Sequence, residues 1–424
     1  MGIIQQAVNR VIYPAAYMYL SVQSRVNQIK DLFRSDNVIY AAPYGGQKVV
    51  LMALYQKGEL RADVAHVLAC AKEQGAYVIC VNTLKLKLPE RYSGVIDCYI
   101  EKYNFGRDFS SYKSGFSYIY KQSIGDECER VLMINDSVYY SKNKSDKFVR
   151  DMLSSSCEVL GGTENFEFEH HMGSFCISFS GGIIRAKKFK KYWQAYKNSD
   201  VRPVVIKRGE LELSRMLKRC VSSPDNFRSL YDLTRASMYI KDNPAVLDEI
   251  IKLSRSPDNK TFKGFSFSDI SQKVVSKYLH NSASLTGVES FNADLEDLGA
   301  LDVYYAQSVE DYFNFIFSSI VNGAAVSGSL RATINEEFAT SFLELFIKGS
   351  PIHLSAIFLH RLGFPLIKLD GLYRGAFIVR DVEVIAGELA PEEGEAFRRL
   401  LYARPFGCDT LFGWKRAAFE RGLI

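Results

Sequence analysis

Nowhere in this 424-residue chain do 18 apolar residues run without interruption, which a membrane-spanning helix requires. The N-terminus shows no charged head, continuous apolar stretch and small-residue cleavage site in the order of a signal peptide. The sequence therefore reads as neither membrane-spanning nor exported by that route. None of the cysteines (Cys70, Cys80, Cys98, Cys128, Cys157, Cys176, Cys220, Cys408) forms a CxxC pair, and most lie inside apolar runs. That pattern fits a reduced, cytoplasmic compartment. No GxGxxG follows the first apolar run and no P-loop is present, which removes the usual sequence support for dinucleotide enzymes and P-loop kinases. Internal repeats, low-complexity tracts, RNA-recognition signatures and basic helices are also missing. With a net charge of only +5, spread among acids, nucleic-acid binding is a poor reading.

What the chain does have is enough apolar surface for a large core: 47% hydrophobic and 24% charged residues, with a length beyond the roughly 250–300 residues at which single cores stop growing. Residues 1–36 carry Ile3, Ile4, Val8, Val11, Ile12, Tyr17, Tyr19 and Leu20 beside Arg10, Arg25, Lys30 and Arg34, in an amphipathic pattern that Pro14 interrupts. They read as a helical arm packed on the body or on a second subunit, with a peripheral position on the inner membrane surface as the alternative.

From residue 37 apolar runs alternate with helical periods. Strands are predicted over 38–42, 77–81, 95–100, 131–134 and 175–179. Helices are predicted from the stripe Val64, Val67, Leu68, Ala71 and over 109–120 and 148–153. This alternation predicts an α/β fold with a mostly parallel sheet flanked by helices. After about residue 225 helical periods dominate (245–253, 309–320, 336–347, 392–401), separated by polar connectors such as 254–263. The expected division is an arm (1–36), a ligand-binding domain (37–225) and a mainly helical domain (226–424).

Two segments hold most of the chemistry. Asn104-Phe-Gly-Arg-Asp108 places Gly106, Arg107 and Asp108 in a turn before an aromatic-rich helix that also carries Lys113. Asn135-Asp-Ser137 stands directly behind a buried apolar run, where open α/β sheets bind ligands. Glycine allows close backbone approach, and the Arg107 fork suits phosphate. Asp136 is a hard oxygen ligand for Mg²⁺ or Mn²⁺, unless Asn-Asp-Ser is only a turn or helix cap. Asp108 either caps the helix or accepts from a ribose or base. In Gly209-Glu-Leu-Glu-Leu-Ser-Arg-Met-Leu217, helical spacing puts Glu210 on the stripe of Leu213 and Leu217 and turns Glu212 outward. At a helix N-terminus Glu210 could act as a general base, or could merely satisfy first-turn amides. In Glu167-Phe-Glu-His-His171, strand alternation would set Glu167, Glu169 and His171 on one face. No cysteine pair completes a zinc site, and His171 reads either as a pocket residue or as a satisfied structural histidine. His66, His280, His353 and His360 read as structural.

Together these segments resemble the rhamnan synthesis F family of bacterial polysaccharide glycosyltransferases. The resemblance rests on Asn104-x-Gly-Arg-Asp-x-x-Ser-Tyr-Lys113, Leu132-Met-Ile-Asn-Asp-Ser-Val-Tyr139, His171-Met-Gly-Ser-Phe175, Glu210-Leu-Glu-Leu-Ser214, Ser350-Pro-Ile-His353 and Phe364-Pro-Leu-Ile-Lys368, in that order. It implies a GT-A-like transferase that uses a nucleotide-sugar, rhamnose being one candidate, to extend an O-antigen, capsule or cell-wall glycan on a lipid-linked or polysaccharide acceptor. Asp136 would take the place of the metal-binding acid, although one carboxylate stands where many such enzymes have two. Glu210 would take the place of the catalytic acid, although Glu-Leu stands where Glu-Asp is frequent. The implied arrangement sets the donor base and ribose against residues 41–44, including Tyr44, and Asn82. Asp136 and a divalent ion hold the diphosphate, Arg107 or Lys113 offsets its charge, Asn104, Gly106, Asp108, Asn135 and Ser137 complete the donor site, and Glu210, with His171 nearby, activates the acceptor for an inverting displacement. A non-catalytic glycan-binding or scaffold protein is the rival reading. Donor sugar, linkage and oligomeric state are not legible.

Overall fold

The computed structural model describes residues 11–254, 270, 273, 274, 276, 277, 308–320, 327–404 and 406–424. Ile3, Ile4, Val8, Arg10, His280 and residues 255–263 of the polar connector lie outside the described residues. The strands are β1 (Asn37–Ala41), β2 (Val49–Leu54), β3 (Tyr77–Asn82), β4 (Cys98–Glu101), β5 (Arg130–Asn135), β6 (Val138–Tyr140), β7 (Val159–Gly161), β8 (Glu164–Asn165), β9 (His171–Met172), β10 (Cys176–Ser180), β11 (Phe227–Ser229) and β12 (Leu366–Lys368).

Eight of them form one sheet in the order β1-β4-β3-β2-β5-β10-β7-β11. β2, β3, β4 and β5 run parallel. β10 runs against β5 and β7, β11 follows β7 in parallel, and β1 runs against β4 at the edge. The expected α/β class, a mostly parallel sheet flanked by helices, is what the chain forms. Every residue of β2, β3 and β5 is buried, as parallel strands covered on both faces must be.

Alternate residues of β5 serve opposite faces. Leu132 and Ile134 pack with Val64, Val67, Phe148 and Met152 from the helices Ala62–Glu73 and Lys142–Ser154. Val131 and Met133 pack with Phe109, Tyr112, Phe116, Phe189 and Trp193 from the helices Arg107–Lys121 and Lys187–Ala195. On that second face Phe116 stacks on Trp193 at 4.7 Å between centroids. Gly115 permits the approach, because a Cβ there would come within 2.2 Å of Leu51.

The first core continues across residue 225 into Tyr231, Ile240, Ile250, Phe338, Phe342, Phe358 and Phe364. Phe364 lies 4.8 Å from Tyr231 and 5.7 Å from Phe148 between ring centroids, so the helical C-terminal portion packs directly on the helix layer of the sheet. A two-stranded ribbon, β12 paired antiparallel with β6, fastens the C-terminal portion to the turn after β5.

Two expectations need correction. Residues 38–42 do not open the parallel alternation: β1 is a half-exposed antiparallel edge, and the central strand is Val49–Leu54, which the sequence reading passed over. Pro14 does not interrupt the arm. It sits in the first turn of the helix Tyr13–Leu32, where its missing N–H costs no hydrogen bond. That helix lies on the protein's own body through Ser24 to Ser199 (3.3 Å) and Asn27 to Asp200 (3.1 Å) and through Ala16, which clusters with Ala418 and Leu423. Among the described residues no helix is long and apolar enough to cross a membrane.

Candidate active site

The strand order places the site. The chain steps outward from β2 to β3 to β4 and then returns to the other side of β2 as β5. The carboxyl ends of β2 and β5 thus flank a topological switch point, where a crevice opens. Asp136, just past β5, ties the two ends together: its Oδ2 accepts from the Tyr55 amide at 2.7 Å and from Gln56 Nε2. Arg61 clamps the same turn, donating to the Asp136 carbonyl at 2.9 Å and to both oxygens of Asp63.

Asn135 connects this turn to the next element. Its Nδ2 donates to Asp108 Oδ2 at 2.8 Å, and its Oδ1 accepts from Ser137 Oγ at 2.7 Å. Lys368 Nζ, delivered by β12, donates to Ser137 Oγ at 3.1 Å. A continuous polar chain therefore runs from Lys368 through Ser137 and Asn135 to Asp108. Burial and the neighbouring Asp136 charge push the Asp108 carboxyl up to about 6; burial likewise raises Asp136.

The loop before Asp108 is held in an unusual conformation. Gly106 has φ +89°, and a Cβ there would lie 2.6 Å from Ser110 Cβ and 2.9 Å from Asn198 Cβ. Arg107 follows with φ +53°, a left-handed conformation that costs a non-glycine residue about 1–2 kcal/mol. The Gly106 amide donates to Asp200 Oδ1 at 2.8 Å and Arg107 Nε to the Asp200 carbonyl at 2.9 Å, so the loop is fixed by the segment that precedes Arg202.

Two adjoining cavities open along the crevice. The larger, about 520 Å³, is bounded by Tyr55, Gln56, Thr83, Asn104 and Asp136. The smaller, about 280 Å³, is bounded by Phe168, His171, Ser174, Phe175, Arg202 and Glu210. Arg107, Asp108, Ser137, Asp370 and Arg374 line both and form the junction.

On the smaller side Glu210 accepts from Ser174 Oγ at 2.8 Å, and its other oxygen lies 3.9 Å from His171 Nε2. His171 Nδ1 meets the Glu169 carbonyl at 2.7 Å; a carbonyl only accepts, so Nδ1 carries the proton and Nε2 faces Glu210 as an acceptor in the neutral ring. Glu210 turns toward the cavity and Glu212 toward solvent, as helical spacing predicts. Glu210 does not, however, begin a helix. The run starts at Arg202, and Ile206–Leu211 is a π-helical turn within it; such turns occur often at functional sites.

Searches against known proteins add little to this geometry. No family model matches the chain. A stretch of 182 residues is 24% identical to the uncharacterized protein y4gN of Sinorhizobium fredii (strain NBRC 101917 / NGR234), covering 41% of this chain and 46% of that protein. A stretch of 84 residues is 29% identical to the virulence protein VirA of Vibrio anguillarum (strain ATCC 68554 / 775), covering 20% of this chain and 26% of that protein. The chain thus spans less than half the length of these curated relatives. Among solved structures, the glycosyltransferase GlyE of Streptococcus pneumoniae TIGR4 aligns with 48% of this chain and 50% of its own, at 13% identity and a TM-score of 0.24. That score carries no argument.

Of the residues singled out from sequence, the crevice brings together Asn104, Arg107, Asp108, Asn135, Asp136, Ser137, His171 and Glu210. Gly106 shapes their loop. Three others fall elsewhere. Tyr44 is at the opposite end of the strands, donating to the Gln47 carbonyl and packed edge-on against Tyr77, because β2 and not β1 is the central strand. Asn82 is fully buried with its amide spent on Gln56 and Tyr99, so it supports the Tyr55-Gln56 wall without reaching the cavity. Lys113 points back to the Tyr196 carbonyl at 2.6 Å. The segment 166–170 is not a strand either: His170 pairs with Glu164 at 2.8 Å and Glu169 with Arg215 at 2.7 Å.

Sequence reasoning missed Gln56, Ser174, Arg202, Asp370 and Arg374, and it read His353 as structural. His353 lines the smaller cavity; its Nδ1 lies 2.9 Å from Ser350 Oγ and its Nε2 3.7 Å from Asp370. Burial alone would raise the Asp370 carboxyl, yet His353, Lys368 and Arg374 together hold it well below the usual carboxylate range. The stretches Ser350–His353 and Phe364–Lys368 carried the signal, as matching segments with no assigned role.

Proposed function

We propose that the chain is a glycosyltransferase that moves a sugar from a nucleoside-diphosphate donor to a hydroxyl of a growing bacterial surface glycan. The observation that supports this best is the pair of adjoining cavities at the switch point, which meet at a charged junction. In this reading the nucleoside lies in the larger cavity, against Tyr55, Gln56 and Thr83. The acceptor sugar lies in the smaller one, where the exposed Phe168 ring can meet carbohydrate C–H groups.

Glu210 is the general base. Ser174 fixes one carboxylate oxygen and leaves the other, opposite His171, to take the proton of the acceptor hydroxyl. The hydroxyl oxygen attacks the anomeric carbon, the bond from that carbon to the phosphate oxygen breaks, and the nucleoside diphosphate leaves with the electron pair. A single displacement of this kind inverts the anomeric centre.

The test is hydrolysis and transfer of a nucleotide-sugar panel by purified protein, compared with Glu210→Gln. The expected result is turnover of one donor class, reduced about 10²–10⁴-fold by Glu210→Gln with the melting temperature kept. A Glu210→Gln protein with full activity removes Glu210 from the base role. Absence of turnover of every donor, with glycan binding retained, favours a non-catalytic glycan-binding protein.

A further inference from the structure

An implied divalent ion has to be weighed against the residues present. One oxygen of Asp136 is already taken by two N–H donors that bind the end of β2 to the end of β5. Among the described residues no group of three or more His, Cys, Asp or Glu is placed to hold a metal ion. The donor set does not fit a cation held by the protein. Beside its carboxylates, the smaller cavity is lined by four cations.

Arg107, Arg202, Lys368 and Arg374 all line the smaller cavity, and Arg107 and Arg374 reach the larger one as well. They share that cavity with the carboxylates of Asp108, Glu167, Glu210 and Asp370, yet among the described residues only Arg374 forms an ion pair with one of them. Arg107 is anchored through Nε to a backbone carbonyl. Lys368 donates to the Ser137 hydroxyl. Among the described residues the Arg202 side chain has no hydrogen-bond or ion-pair partner. Arg374 donates through Nε to Asp370 Oδ2 at 2.6 Å and through Nη1 to the Ile424 carbonyl at 3.2 Å. Burial makes Arg107 and Arg202 easier to deprotonate than a free arginine; Asp108 opposes this at Arg107, and Arg374 adds to it at both. Planar forks converging from three backbone segments match the spread oxygens of a diphosphate.

We infer that Arg107, Arg202, Lys368 and Arg374 form a diphosphate-binding site that works without a divalent metal ion, seating the leaving group between the two cavities. The site rests on the transferase reading for its biological ligand, but it can be tested without it. Three of the four cations come from outside the Asn104–Asp108 loop: Arg202 from the start of the helical run that carries Glu210, Lys368 from the end of β12 and Arg374 from beyond it.

The experiment is calorimetric titration of the full chain with inorganic pyrophosphate in excess EDTA, repeated with Mg²⁺, together with nucleotide-sugar turnover under both conditions. The expected result is EDTA-insensitive binding that weakens with added salt and falls about tenfold or more in Arg202→Gln and in Lys368→Met. Arg202→Lys should recover part of the loss. Arg202 has no described partner, so its variants should keep the parent melting temperature. Pyrophosphate binding that needs Mg²⁺, binding indifferent to both neutralising substitutions, or no binding overturns the site. Turnover abolished by EDTA overturns it too, while leaving the transferase standing. Metal-free, Arg202-dependent binding without turnover of any donor supports the site and removes the transferase.

Discussion

Replacing Asp108 with asparagine should stabilise the protein at neutral pH and leave it unchanged near pH 4. Asp108 opens onto the cleft but is enclosed by protein, and its carboxyl is pushed from 3.8 to about 6 by burial first and by Asp136 next. At about 1.4 kcal/mol per pH unit, keeping it ionised above pH 6 costs the native state about 3 kcal/mol. Asparagine has the same shape, and its carbonyl oxygen can still accept from Asn135 Nδ2, so the substitution removes the charge and little else. The native state holds this proton more tightly than the unfolded chain does. Wild-type stability must therefore fall as pH rises from about 4 to about 6 and then level off. The variant lacks that fall. With about 2.1 cal/mol/K of unfolding entropy per residue, the 424-residue chain should gain about 3 °C in Tm at pH 7 and nothing at pH 4. Differential scanning calorimetry of both proteins at half-unit steps from pH 4 to 8 measures this directly. A Tm difference that stays flat across pH, or a variant less stable than wild type at pH 7, would refute the account of Asp108 as a buried, strained carboxylate.

Gly106→Ala should lose about 2–4 kcal/mol, because the new Cβ meets Ser110 and Asn198 and the left-handed φ strains any side chain; chemical denaturation at fixed pH reads this loss. His360 is buried and kept neutral, its pKa driven to about 3 by burial first and by Lys144 next. The unfolded chain takes up that proton as pH falls below 6.5 and the native state does not, so His360→Leu should flatten the acid-side decline of Tm between pH 6.5 and 4. An unchanged slope would mean that the ring is hydrated or protonated in place.

The two layers of helix and sheet were legible where one local pattern sufficed. Residues 77–81 and 131–134 are continuous apolar runs, 175–179 is broken only by Ser178, and the buried stripe of Val64, Val67, Leu68 and Ala71 follows the helical period. The central strand Val49–Leu54 was passed over because residues 38–42 offered an equally apolar run just upstream, and only strand pairing shows which of the two is an edge. That error carried Tyr44 into the site and left Tyr55 and Gln56 out. The inward turn of Glu210 follows from spacing to Leu213 and Leu217; its supposed place at a helix start failed because the preceding apolar residues are themselves helical. Arg202 and Arg374 had no local mark at all. They reach the crevice by contacts between segments far apart in sequence, which periodicity does not report.

The β6–β12 ribbon has a consequence for biosynthesis. Chains leave the ribosome N-terminus first and domains tend to fold as they emerge, so the large sheet, complete at β11, can form while residues 366–374 are still unmade. At that stage the Asn135-Asp136-Ser137 turn and Glu210 exist, but Lys368 and Arg374 do not. A nascent chain would carry Glu210 before two of the four cations, and a phosphate-bearing ligand of the proposed site would be captured only once the last part had docked. Capture would then fasten that part in place, since a ligand bound across a joint favours the closed joint by mass action.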